Sequence, residues 1–308
     1  MQEHQSRVAF IIPAHNEAGA VGLVVKEIQD RFPSAHVVVC DNASTDATAA
    51  EARMAGALVM HESRRGKGMA VRRLMRDVDA DVYVMIDGDN TYDMTYIGEA
   101  IRIFHEECFD LMTGNRFDRL PHSSMRAGHG IANTLFTLLV KKVCGIQTND
   151  LFSGLRIMSR RFVKSFPMIS GEFEVETEIS VYAAKMQVPS KDFPTRVAER
   201  KGTVSKLNSF EDGFKILFFV LRLLHREYPL ALYSVLSALT ALCSSAALLS
   251  LVVEFVRTGL VPRIPTFVAA VSGLVIALVF LVAGLVLKEI VNLKYEGRLL
   301  AYLTIGLT

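Results

Sequence analysis

The segment Asp87-Gly88-Asp89 places two carboxylates two positions apart, and in an extended backbone such residues point the same way. Both can therefore address one point, and Gly88 between them lets a ligand come close to the main chain. Magnesium or manganese prefers oxygen ligands, and magnesium typically takes one or two carboxylates plus substrate phosphates. The pair fits a metal–diphosphate complex better than a closed protein cage, with a plain surface turn as the ordinary alternative. Three more polar clusters share this character: Pro13-Ala14-His15-Asn16-Glu17, Asp41-Asn42-Ala43-Ser44-Thr45-Asp46 and Arg64-Arg65-Gly66-Lys67-Gly68.

The clusters share a position in the predicted elements. Apolar runs at 8–12, 36–40, 57–60 and 81–86 read as buried strands, each ending at one cluster. Helical stretches fall between them: one through about Asp30, one over 45–55 with Ser44 as N-cap and Gly56 as stop, and one over 68–78. This alternation predicts an α/β fold, a mostly parallel Rossmann-like sheet with helices on both faces. Ligands of such sheets bind beyond the carboxyl ends of the strands, which is where all four clusters lie. The first strand is not followed by G-x-G-x-x-G, and Gly66-Lys67-Gly68 lacks the spacing and hydroxyl of a P-loop. A nucleotide with its base over the first two strand ends and its diphosphate at the metal remains.

The chain has 308 residues, of which 51% are hydrophobic, and a mean hydropathy of +0.30. Two stretches account for the excess. Tyr228 to Val253 and Ile264 to Leu287 carry no charge, and the second, as a helix, spans about 36 Å, enough for a hydrocarbon core of about 30 Å. Their short link, EFVRTGLVPR, requires an antiparallel hairpin. Lys215, Arg222, Arg226, Lys288, Lys294 and Arg298 flank it on one side, against Arg257 and Arg263 in the link. The positive-inside rule then predicts a multi-pass protein of the inner (cytoplasmic) membrane with its large domain in the cytosol. The expected layout is a catalytic domain over 1–207, an amphipathic juxtamembrane helix over 208–228, and a hairpin with cytosolic tail over 229–308, its spans at about 229–254 and 265–287. The first 227 residues hold 29 charges of each sign, which disfavours nucleic acid as a partner.

Two further stripes have helical spacing: Ile131, Leu135, Leu139 and Val143, and Phe210, Phe214, Leu217, Leu221 and Leu224. Packing on the sheet suits either, and an interfacial position suits the second equally. The N-terminus reads as a strand and not a signal peptide. Cys40, Cys108, Cys144 and Cys243 form no C-x-x-C pair, so buried free thiols are expected.

IIPAHNE, CDNASTDAT, GKGMAVR, VMIDGDNTYD, GNR, DLFSGLRIMSRRF, EFEVETEI and ERKGTVSKLNSFEDGFKIL occur in the order seen in inverting glycosyltransferases of family two. Over about residues 7–217 the chain resembles the polyprenyl-phosphate sugar synthases, typified by dolichyl-phosphate mannose synthase and bactoprenol glucosyltransferase. The resemblance implies a GT-A catalytic domain, a nucleotide-sugar donor, a polyprenyl (undecaprenyl) phosphate acceptor in a membrane, and Mg2+ or Mn2+ as cofactor. By position it implies that Pro13, Ala14, Asn16 and Glu17 line the nucleoside pocket and that Asp41 binds the base edge. Lys67, Asp87, Gly88 and Asp89 would bind the nucleotide-sugar, Asp87 near the ribose or diphosphate, and Asp89 with Asp87 would hold the metal. Arg116 and Arg126 would reach the acceptor phosphate, with Ser153 and Arg156 of D-x-x-S-G-x-R beside them. Asp150 is either a base or an orienting partner of those arginines. Glu174 and Glu176 lie at an acidic helix start, and Arg200 and Lys206 on a loop over the diphosphate. His15 stands where Tyr is usual, Thr91 where some mannose synthases have a metal-binding Gln, and Gly130 where those can place a Ser.

The chemistry follows from the substrates. A lipid phosphate is ionised at neutral pH and can attack an anomeric carbon without a strong base. Holding two anions together calls for a divalent metal and arginines. The resemblance to bactoprenol-type enzymes implies UDP-hexose or UDP-N-acetylhexosamine as donor, with GDP-mannose the alternative, and a homo-oligomer is compatible with the sequence. A processive synthase would carry Q-x-x-R-W, and this chain has no Trp. A sugar-1-phosphate nucleotidyltransferase would carry a glycine-rich basic turn where PAHNEAG stands. A catalytically inactive membrane scaffold that binds nucleotide-sugar is the rival from another class.

Overall fold

The computed structural model describes residues 6–116, 141, 145–146, 148–167, 175–197, 221–222, 224–261 and 263–305. Arg126, Gly130, Cys144, Glu174, Arg200, Lys206, the stripe from Ile131 to Val143 and the start of the second stripe lie outside them. The chain divides into two units, Met1–Val204 with Arg298–Thr308, and Ser205–Gly297.

In the first unit β1 (Val8–Ala14), α1 (Val21–Arg31), β2 (His36–Asp41), α2 (Thr48–Met54), β3 (Leu58–His61), α3 (Lys67–Asp77) and β4 (Val82–Met85) alternate as expected. Next come α4 (Ile97–Glu106), β5 (Leu111–Asn115), β6 (Arg156–Ser159), α5 (Arg160–Ser165), α6 (Val175–Met186) and β7 (Ser190–Pro194). The seven strands form one sheet in the order β3-β2-β1-β4-β6-β5-β7. β1 to β4 pair in parallel, β6 runs antiparallel between β4 and β5, and β7 lies parallel to β5. Alternation on β1 divides the core: Phe10, Ile12 and Ala14 share a cluster with Val21, Val24, Val25 and Ile28 of α1, while α3 packs on β1 and β2. The reversed order at β1 and β4 opens a crevice at the carboxyl ends, the general ligand position of doubly wound sheets.

Two expectations need correction. Ser44 does not cap α2, which starts at Thr48 with Ala47 at its N-cap. Ser44 Oγ instead accepts the Asn16 N–H at 3.0 Å, and Asp46 Oδ1 accepts the Thr48 N–H at 3.0 Å, so the chain turns twice before it becomes helical. Gly56 does end the helix, with a φ of 96°. Nor are the thiols uniformly buried: Cys40 lies inside β2, whereas Cys108 and Cys243 are exposed.

The second unit contains most of the hairpin. α7 (Pro229–Thr258) and α8 (Ile264–Thr304) are both long and apolar enough to cross a membrane. Gly259, with a φ of 70°, caps α7 in the left-handed conformation, and Arg263 pairs with Glu254 at 2.6 Å across the link. Ser237 Oγ donates to Ala277 O at 2.7 Å, and a Cβ on Gly273 would collide with Ser244 Oγ, so small residues let the helices touch. α8 stays helical beyond the charges that start at Lys288. Its last turns belong to the first unit, where Tyr302 donates to the buried Asp110 at 2.5 Å and Arg161 lies 4.6 Å over the Tyr302 ring.

Candidate active site

Parallel pairing brings the strand ends level. Ala14 lies opposite Asp41, and Asp41 opposite His61. Above this crest opens a pocket of about 610 Å³. Pro13, Ala14, His15 and Glu17 line it from the end of β1, Asp87, Gly88 and Asp89 from the end of β4. Arg65, Gly66 and Lys67 close it from the start of α3, and Phe152 and Glu176 from the far side.

Each wall has a local cause. Asn16 takes a φ of 54°, which its short polar side chain tolerates, and its Oδ1 accepts the Thr45 N–H at 2.9 Å, tying the β1 and β2 loops together. Asn42 Oδ1 accepts the Gly66 N–H at 2.8 Å, and its amide donates to the carbonyls of Glu62 and Arg64, so the loop into α3 is fixed. His15 Nδ1 lies 2.7 Å from the Asn42 carbonyl, and its Nε2 lies 3.0 Å from Arg65. A carbonyl only accepts and a guanidinium only donates, so these partners select the neutral Nδ1–H tautomer. Asp89 Oδ1 accepts the Thr91 hydroxyl at 2.7 Å, so Thr91 orients the carboxylate.

Lys67 carries the densest electrostatics. Its Nζ lies 2.5 Å from Asp87 and 2.6 Å from Glu176, with 17% of the side chain exposed. Burial works to lower its pKa, but the two carboxylates outweigh burial and hold it above the ordinary lysine value.

A second pair, Arg116 and Asp150, lies within electrostatic range of Asp87. Arg116 Nε and Nη2 donate to the two Asp150 oxygens at 2.6 and 2.7 Å, and its backbone N–H donates at 3.2 Å. Burial opposes the charge on Arg116, and the bidentate bond overcomes it, raising the pKa. Tyr92, buried between these groups, accepts the Gly154 N–H at 2.7 Å. Burial, with Asp87 adding to it, raises the Tyr92 pKa.

The structure thus brings Pro13, Ala14, Glu17, Lys67, Asp87, Gly88 and Asp89 to one pocket. It does not bring Ser153 or Arg156 to its surface. Both have 0% exposure, and the Arg156 guanidinium donates to the carbonyls of Ser153 and Leu151 and to Ser180 Oγ. An acceptor phosphate has no path to that group; it ties down the loop from Asp150 to Leu155. Burial pulls the Arg156 pKa down, against Glu176 and Asp150. Asp41 is also buried, held by the Ser44 N–H at 3.3 Å and by His61 Nδ1 at 3.1 Å. No sequence pattern marks Tyr92, Phe152 or the Lys67–Glu176 contact as part of the site. Glu176 was visible in an acidic helix start, but nothing in the sequence pairs it with a lysine more than one hundred positions away.

A crested, mostly parallel sheet with carboxylates beyond β4 and a mixed-direction far edge is the GT-A fold of glycosyltransferases. The chain belongs to glycosyl transferase family 2, which residues 9–166 match. It is 30% identical to Glycosyltransferase AglJ of Haloferax volcanii over 227 residues, 72% of this chain and 74% of that one. It is 40% identical to Protein RfbJ of Shigella flexneri over 126 residues, 41% of this chain and 98% of that one. A dolichyl-phosphate hexose transferase of H. volcanii is 26% identical over 209 residues, 68% and 90% of the two chains. Glucosyl-3-phosphoglycerate synthase of Mycobacterium tuberculosis, solved with Mg2+ and UDP, shares the fold with a TM-score of 0.55 at 20% identity, over 71% of this chain and 79% of that one.

Proposed function

We propose that the chain transfers a sugar from UDP-hexose or UDP-N-acetylhexosamine to polyprenyl phosphate, with inversion and with a divalent metal, at the cytosolic face of the cytoplasmic membrane. One observation carries the reading: a family 2 glycosyltransferase pocket and two helices of membrane-crossing length occur on one chain. The relative named dolichyl-phosphate hexose transferase supports a lipid phosphate as acceptor.

Asp87 and Asp89 fit Mg2+ or Mn2+. They are hard oxygen donors, and among the described residues no group of three or more His, Cys, Asp or Glu could form a complete protein cage. Diphosphate oxygens and water would complete the shell. When bound, the metal stabilises negative charge on the departing diphosphate. Asp89, steadied by Thr91, and Asp87 would hold it, and Lys67 would meet the diphosphate. Arg116, with Arg126, would place the lipid phosphate. One oxygen of that phosphate attacks the anomeric carbon, and the nucleoside diphosphate leaves with the bonding pair from the opposite face. No proton need be removed from the nucleophile. Both Asp150 oxygens accept from Arg116, which favours orienting over general-base work. Arg200 and Lys206 complete the donor side in this reading.

The test supplies radiolabelled UDP- and GDP-sugars and undecaprenyl phosphate to the full chain in detergent. Label passing from a UDP-sugar into an organic-extractable, chelator-sensitive product is the expected result. Label from GDP-mannose alone would make the protein a mannose synthase, and no turnover with any donor that binds would leave only a scaffold.

A further inference from the structure

We propose that the last turns of α8 form a docked joint, in which Tyr302, seated on Asp110 and Arg161, fastens the membrane helix to the strand that ends beside Arg116. The inference rests on the lipid-phosphate reading above and adds a positioning residue to it.

The joint is built around a fully buried carboxylate, Asp110, directly before β5. Ser159 Oγ and Arg161 Nε donate to its Oδ1, both at 2.6 Å. Arg161 Nη2 donates to Oδ2 at 2.6 Å, and the Tyr302 hydroxyl donates to the same oxygen at 2.5 Å. The backbone of Asp110 is held as well: its N–H donates to Pro189 O at 2.9 Å, and its carbonyl accepts the Ser159 N–H at 3.1 Å. One residue thus joins the starts of β5 and β7 to the end of β6. The Arg161 guanidinium also lies 4.6 Å over the Tyr302 ring, so the tyrosine is gripped by both its hydroxyl and its face. Removing a donor from a buried carboxylate costs more than removing one from an exposed carboxylate.

Tyr302 reaches this seat from 192 positions away. The uncharged run of α8 ends at Leu287, yet the helix continues to Thr304. Lys288, Glu289, Lys294, Glu296 and Arg298 mark that continuation as lying outside hydrocarbon. Tyr295 and Tyr302 are seven positions apart, about two turns, and so share one face of the helix. Each donates to a buried carboxylate of its own unit: Tyr295 to Glu227 at 2.6 Å in the second, Tyr302 to Asp110 in the first. Only β5, Leu111–Asn115, separates the Tyr302 seat from Arg116. A soluble acceptor can approach the catalytic domain from solution in any orientation. A lipid phosphate is confined to the bilayer, so its approach depends on how the anchor holds that domain.

The experiment compares wild type, Tyr302→Phe and Tyr302→Ala as full chains in liposomes, with the nucleotide-sugar that the preceding assay selects. The acceptors are undecaprenyl phosphate in the bilayer and citronellyl phosphate, a water-soluble short-chain analogue. Tyr302→Ala should lower kcat/KM for the bilayer acceptor by about tenfold and leave it within about twofold for the soluble one. Tyr302→Phe keeps the ring under Arg161 and should fall between. Amide hydrogen exchange over residues 298–304 should be about tenfold faster in Tyr302→Ala than in the wild type. Equal losses with both acceptors would make Tyr302 a general fold residue and overturn the proposal, as would unchanged transfer to the bilayer acceptor. Equal exchange in the two proteins would overturn it with no turnover measured. If the wild type transfers sugar to neither phosphate, the lipid-phosphate reading itself fails, a result distinct from these because exchange still reports the joint.

Discussion

The carboxylate of Asp87 rests against the Cα of Gly154: a Cβ at position 154 would stand 2.7 Å from Asp87 Cγ and closer still to Oδ2. Two motifs 67 positions apart are fitted to each other here, and the Gly154 N–H also donates to Tyr92. Gly154→Ala must therefore push Asp87 toward Lys67 or open the loop. We expect a stability loss of about 1–3 kcal/mol, the usual range for overpacking a tight site. UDP–Mn2+ affinity should fall by about tenfold or more, since each 1.4 kcal/mol is a factor of ten. Calorimetric titration measures it, and unchanged affinity would show that the donor never engages Asp87.

Arg116 and Asp150 should behave as one unit. Their paired bonds have bidentate geometry, so removing either leaves the other without its complement. Arg116→Ala and Asp150→Asn should each lower kcat/KM for lipid phosphate by about 100-fold while donor affinity stays within a few-fold. The double variant should be no worse than the poorer single one, the signature of coupled residues. A general-base role for Asp150 predicts otherwise: an acidic limb in the pH profile of kcat that vanishes in Asp150→Asn while lipid KM is preserved.

Glu62 holds the loop that supports the pocket wall. Its Oε1 accepts the Arg64 N–H at 2.9 Å and Nε at 3.0 Å, and its Oε2 accepts Nη2 at 3.1 Å. These bonds lower its pKa from 4.5 to about 2. The folded state thus binds its proton less readily than the unfolded one, so stability rises with pH across that interval. The contribution is fully present above the unfolded value and is lost as pH falls through the folded value. Melting temperature in detergent should drop between pH 4.5 and about 2, and the drop should be smaller in Glu62→Gln. Parallel profiles for the two proteins would remove Glu62 from the account.

The crest was legible because parallel strands leave a strong signal. Buried runs such as Val8–Ile12 and Val82–Ile86 have no other easy reading, and their ends must share an edge once the sheet is parallel. Start positions of helices were less legible: Ser44 looks like a cap by type, yet its hydroxyl is claimed by Asn16 from another loop. Arg156 shows the deeper limit. Arginine in a D-x-x-S-G-x-R string suggests a phosphate ligand, and only the packing of β6 against β4 and β5 reveals that its guanidinium is sealed inside, bound to carbonyls. The Lys67–Glu176 contact is invisible for the same reason, being long-range and between residues that separately look like surface charges.

Cys40 and Cys108 provide a reading of whether the crest stays closed. Cys40 is wholly buried in β2, opposite Pro13 on one side and Met60 on the other, and burial, reinforced by Glu62, pushes its pKa up to about 12. At pH 8 only about one thiol in ten thousand would be ionised at that value, and the thiolate is the reacting species. Cys108 is exposed at the end of α4. Iodoacetamide at pH 8, applied to a Cys144→Ser protein and followed by peptide mass spectrometry, should therefore modify Cys108 within minutes and leave Cys40 untouched over hours. Donor should not alter the result, because Cys40 lies beneath the pocket floor and makes no part of its lining. Modification of Cys40 at a rate near that of Cys108 would mean that β2 parts from β1 in the native protein. Protection that returned on adding UDP would then locate that opening at the edge where Asn42 and Asn16 join the loops.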